Sequence, residues 1–85
     1  MSPDRIRAVL TERPFQPFTI HMGDGGSVDV SSPEFAYLLP GGRTLLVSVP
    51  MVPDAKEEGQ FREHRIDVFL ITRLTSPPQK SGSAA

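Results

Sequence analysis

Two histidines, a glycine-rich tetrapeptide and a scatter of arginines are the residues of this 85-residue chain with chemistry to offer. A metal ion wants three or four ligands at fixed geometry, and neither His21 nor His64 has a His, Asp or Glu at ligand spacing. On strand parity His21 points away from the side that Met22 takes, so both histidines are expected as solvent-exposed strand residues. Serine, histidine and aspartate all occur, but no nucleophile sits on a recognisable elbow, so no catalytic set is expected. Gly23-Asp24-Gly25-Gly26 has the look of a phosphate loop. Phosphate loops open a helix whose first N–H groups hold the anion. These glycines join two strand-patterned segments instead, and turn chemistry accounts for them. The chain has no cysteine, which excludes disulfides, thiol catalysis and Cys-rich zinc sites. No metal and no cofactor is expected.

The arginines carry the remaining chemistry. Arg5 and Arg7 flank an apolar stripe near the start, and Arg43, Arg62, Arg65 and Arg73 punctuate the rest. Converging on one face, they could grip phosphates, with Tyr37 and Phe61 as stacking platforms for bases. Arg5, Arg7, Tyr37, Arg43 and Arg65 are therefore the candidate contacts for a partner or for phosphate. Asp29, Glu34, Asp54, Glu57, Glu58, Glu63 and Asp67 are interspersed among them, and the formal net charge is −1. A pI near 6.0 leaves no global field to recruit nucleic acid or anionic lipid. A solvated, mixed-charge surface is the expectation, and nucleic acid is disfavoured as a partner.

The elements that must position these residues are legible from periodicity. Ser2 can cap a helix, Pro3 suits its first turn, and Asp4 sits at the positive end of the dipole. Ile6, Val9 and Leu10 form a narrow apolar stripe, and Pro14 should end the helix at about Arg13. So short a helix must lean on something, and the following sheet is the only candidate. From residue 18 to 49 apolar residues recur at every second position, the mark of strands with one buried face. Phe18, Ile20 and Met22 make the first strand, and Val28 and Val30 the second. A two-residue turn at Asp24-Gly25 would set apolar against polar across the hairpin. A three-residue loop over 24–26 pairs Met22 with Val28 and Ile20 with Val30, with Gly26 left-handed at its end.

A third strand is expected over 35–39, apolar on both faces as a central strand would be, and a fourth over 44–49. Their mutual register stays open, because either parity gives an apolar face. Residues 50–63 read as a loop or extended hairpin tip. In the last β segment, 64–74, Ile66 and Val68 share one parity and Phe69 and Ile71 the other. Such a slip marks a bulge or a single helical turn. The expected fold is mainly β (α+β), a five-stranded, strongly bent antiparallel sheet or small open barrel with a short N-terminal helix. Residues 1–75 form the single domain, and 76–85 a disordered tail rich in Ser, Pro, Gly and Ala. No apolar run approaches the roughly 20 residues that span a bilayer, and the N-terminus lacks a signal-peptide core, so a cytoplasmic protein without a membrane partner is expected.

A short helix, five strands and a phase slip before the last resembles the layout of Sm-like barrels, a form of small SH3-like barrel. Ile66-Asp67-Val68-Phe69-Leu70-Ile71-Thr72-Arg73-Leu74 looks like the segment that carries their fourth strand into the fifth. The resemblance covers roughly residues 3–75 and is one of pattern. It implies RNA binding and assembly into rings. The bacterial RNA chaperone of that family contacts RNA through a Tyr-Lys-His motif, whereas Asp67-Val68-Phe69 stands at the matching positions, without the cation the contact needs. Separately, Arg13-Pro14-Phe15-Gln16-Pro17-Phe18, an Ile-x-Met-x-Asp-Gly hairpin, Pro33-Glu34-Phe35 and Gly42-Arg43-Thr44 are similar to a group of small uncharacterised bacterial proteins. The expected function is a non-enzymatic protein-interaction module, a homo-oligomer joined through strand edges. The last strand, Phe69 to Leu74, is unguarded until Pro77, whereas Pro50 and Pro53 blunt the end of the fourth. An RNA-binding Sm-like protein is the alternative.

Overall fold

The computed structural model describes residues 1–76. Helix α1 (Pro3–Thr11) begins where the capping residues require: the Ser2 hydroxyl accepts from the Arg5 N–H at 3.4 Å, with Pro3 in the first turn. The helix buries Ile6 completely and leans Val9 and Leu10 on the core. It stops one turn short of Pro14, with Glu12 already extended. Phe15 in the connector packs 6.0 Å from the Phe18 ring, so the proline-flanked segment is a plug against the sheet.

Strands β1 (Phe18–Met22), β2 (Ser27–Val30), β3 (Ala36–Leu38), β4 (Thr44–Pro50), β5 (Phe61–Asp67) and β6 (Ile71–Thr75) follow in order. They form two three-stranded antiparallel sheets, ordered β2-β1-β6 and β3-β4-β5. Short 3₁₀ turns interrupt the path at Pro33–Phe35, Glu58–Gln60 and Val68–Leu70. Phe18, Ile20, Val28 and Val30 from the first sheet meet Leu45, Val47 and Ile66 from the second, with Ile6, Val68 and Ile71 completing one core. No helix among the described residues is long and apolar enough to cross a membrane.

The mainly β class with a short N-terminal helix is as expected, but among the described residues the strands number six, they form two sheets, and no closed barrel results. The expected last β segment is divided by the Val68–Leu70 turn, so its halves join different sheets: β5 pairs with β4 and β6 with β1. That turn is the predicted phase slip. It rotates the chain so that Val68 and Ile71, of opposite parity, are both buried. The expected disordered tail at 76–85 lies, beyond Ser76, outside the described residues.

The first hairpin keeps the predicted loop length but moves it one residue back, onto 23–25. Gly25, at φ +94°, is the left-handed residue, not Gly26. The strands pair Ile20 with Val28 and Phe18 with Val30. This register preserves the apolar face and gives Phe18 a cross-strand partner that the expected one denies it. The Asp24 carboxylate accepts from the Gly26 N–H at 2.8 Å and tightens the turn. β3 is shorter than expected and lies at an edge, not at the centre, which is why Tyr37 can remain exposed. Its register with β4 sets Ala36 against Val47 and Leu38 against Leu45. Residues 51–60 are the tip of the β4–β5 hairpin, which closes on the pair Pro50–Phe61.

Candidate functional site

The arginines do not converge. Arg5 lies on α1, beside a groove of about 420 Å³ that the helix forms with β6 and that Val9, Glu12, Arg73 and Leu74 also line. Arg7 turns back on its own helix, where its Nη1 donates to Asp4 Oδ1 at 2.8 Å. Arg43 follows the β3–β4 turn, with Nη2 3.6 Å from Asp67 Oδ2 and its guanidinium 4.9 Å above the Phe69 ring. Arg65 and Tyr37 share the outer face of the second sheet, one on each side of Leu46. Arg7 also borders the β3–β4 turn next to Arg43, its Nη2 3.5 Å from a Cβ built on Gly42, while Arg5 and the Arg65–Tyr37 pair lie elsewhere. Arg7 and Arg43 each already have a carboxylate neighbour.

The positions matched to the Tyr-Lys-His motif do structural work. The Asp67 carboxylate caps the Val68–Leu70 turn, accepting from the Phe69 N–H at 2.9 Å while it faces Arg43. Val68 is fully buried, and its N–H donates to the Arg43 carbonyl at 2.8 Å. Phe69 faces solvent, with the Arg43 guanidinium over one side of its ring.

Neither histidine is as open as expected; both are half-buried. His21 Nε2 lies 2.8 Å from Thr75 Oγ1, which ties β1 to β6. His64 pairs with Val47 on the inner face of the second sheet. The signal was available, since His64 shares the parity of Ile66. No group of three His, Cys, Asp or Glu among the described residues could hold a metal ion.

What the fold does leave open is backbone. Among the described residues each sheet ends in strands paired on one side only: β2 and β6 in the first, β3 and β5 in the second. β5 is the longest of these at 7 residues, against 5 in β6, 4 in β2 and 3 in β3. The β6 edge is flanked by α1 across the groove, and the end of β5, at Arg65–Asp67, faces the first hairpin loop, Met22–Asp24, across a cleft of about 270 Å³. An edge strand offers a row of unpaired N–H and C=O groups, and it is a template for another chain unless something covers it.

The outer face of the second sheet adds an aromatic patch. Phe35 and Phe61 meet edge to face at 5.2 Å between centroids, and Ser48 and Glu63 share the shallow slot beside them. Comparison with known proteins returned no matching family model, no matching curated protein and no matching solved structure.

Proposed function

We propose that this chain is a non-enzymatic interaction module that associates with copies of itself through open strand edges. The observation that carries the reading is β5, a 7-residue strand paired only with β4 among the described residues. A domain this small gains much of its stability margin from any further burial, and apolar side chains at both ends of β5 remain exposed.

The finer architecture we read as an Sm-like, partly open barrel. β2 and β3 act as two arms of one bent strand broken by the Pro33–Phe35 turn. β6 returns after a 3₁₀ turn to pair with β1, as the last strand of that layout does. Fold likeness does not bring RNA binding with it. The arginines are dispersed, two of them face carboxylates, and the buried Val68 stands where the motif's cation would be needed.

Light scattering on the full chain tests the reading. The expected result is a mass above 9.3 kDa that grows with concentration through the micromolar to millimolar range. A constant monomer mass throughout overturns it. A parallel titration with single-stranded RNA should show no binding at physiological salt. Tight binding abolished by Arg5→Ala and Arg7→Ala would favour RNA as the partner instead.

A further inference from the structure

We infer that the partner of β5 is β5 of a second copy, paired antiparallel about a two-fold axis through His64. The inference rests on the proposed self-association and names the edge and register that would produce it.

The register follows from the sequence of the strand and its faces. Phe61, Glu63, Arg65 and Asp67 lie on the outer face, paired with Pro50, Ser48, Leu46 and Thr44 of β4. Arg62, His64 and Ile66 lie on the inner face, paired with Val49, Val47 and Leu45. Antiparallel partners share a face, so a symmetric pairing must be centred on a residue and not between two. Centred on Glu63, the pairing sets that carboxylate against its own copy and His64 against Arg62. Centred on Arg65, it opposes the two copies of Arg65 and sets Glu63 against Asp67. Centres nearer either end use only a fragment of the strand. Centred on His64, every residue of 61–67 has a partner, and each Glu63 stands directly opposite the Arg65 of the other copy.

Opposite charges facing across strands attract, whereas like charges there destabilise. Neither charge is spoken for within the chain: the ion pairs among the described residues are Arg7–Asp4 and Arg43–Asp67. Glu63 takes only a long hydrogen bond, 3.5 Å, from the Ser48 hydroxyl.

The apolar surface supports the same arrangement independently. Large apolar side chains are exposed at the two ends of β5. Met51 and Val52, 51% and 42% exposed, flank its start, where the Met51 N–H donates to the Gln60 carbonyl. Phe69 and Leu70, 57% and 63% exposed, follow its end. An antiparallel pair lays the start of one strand beside the end of the other, so each copy's Phe69 and Leu70 approach its partner's hairpin tip. The result would be a continuous six-stranded sheet across the two-fold axis, with the β5 edge no longer open.

Charge reversal in the full chain tests this. Both positions are exposed, and circular dichroism and melting will check that the variants fold. Glu63→Arg and Arg65→Glu should each weaken self-association by roughly tenfold to a hundredfold, since two symmetry-related pairs change from attraction to repulsion. Mixed in equal amounts, the two variants should associate at least as tightly as the native chain, because each reversed charge then meets its opposite. If the native chain associates and both variants match it, the β5 pairing is wrong while edge-mediated association survives. The pairing is equally wrong if both variants weaken and mixing restores nothing. A native chain that stays monomeric removes both.

Discussion

Adding one methyl group at Gly42 tests how the helix is held to the sheet. Gly42 lies buried in the β3–β4 turn at φ +75°, with its N–H donating to the Leu39 carbonyl at 2.9 Å. A Cβ built there meets Pro3 Cβ at 2.8 Å and Cγ at 2.9 Å, distances at which something must move. Pro3 offers little room to give, because its ring is rigid and anchors the first turn of α1. Gly42→Ala therefore carries two costs. The left-handed conformation costs a residue with a Cβ about 1–2 kcal/mol. The overlap adds about 1–3 kcal/mol, typical of overpacked sites. The sum, about 2–5 kcal/mol, is comparable to the whole stability of a small domain.

Gly25 and Gly41 supply the control. Both are left-handed, at φ +94° and +97°, and a Cβ at either meets nothing within 4 Å. Their alanine variants should lose only the conformational cost, about 1–2 kcal/mol. Urea unfolding of the three variants reads the difference, with an unchanged m-value marking a true stability effect. A Pro3→Gly background should narrow the gap between Gly42→Ala and its controls, because the clashing ring is gone. Equal losses at all three glycines, or no coupling to position 3, would refute the helix–turn contact.

Other outcomes follow from single contacts. Ile6→Ala should destabilise by about 2–5 kcal/mol, the usual cost for a fully buried aliphatic chain, while Val9→Ala, at the groove, should cost clearly less in the same unfolding assay. Asp67→Ala should cost about 1 kcal/mol, through loss of the cap on Phe69 N–H. Arg43→Ala should cost less than that, because its ion pair is exposed and its ring contact weak, and thermal melting will separate the two.

Much of the fold was legible because strand periodicity is a short-range signal. Phe18, Ile20, Val28 and Val30 reveal one buried face without reference to anything distant. The exact loop was not legible, because moving the three-residue turn from 24–26 to 23–25 preserves that face. What decides between them is a partner for Phe18, found only across the strand. The slip between Val68 and Phe69 announced a bulge or a helical turn, but not which of the two, nor that the strands on either side join different sheets. That depends on which neighbours the core can bury.

The candidate site was less legible still. Arginine side chains are long, and their convergence depends on how strands and helix lie together. Arg7 meets Asp4 three residues back on its own helix, a pair the sequence does offer, whereas nothing local to Arg43 signals that it will face Asp67. The open edge of β5 was equally invisible, since residues 50–63 read as loop and hid the start of the strand at Phe61. His64, on the parity of Ile66, was the available clue.

Amide hydrogen exchange, resolved by residue and followed with concentration, tests edge-mediated self-association most directly. Local opening sets exchange, and an edge N–H gains protection only when something pairs with it. As concentration rises, outward-pointing amides within 61–67 should slow, while those of β2 and β3 exchange at unchanged rates. Protection that stays flat along every strand edge, or that rises on the helix instead, would contradict association through strand edges.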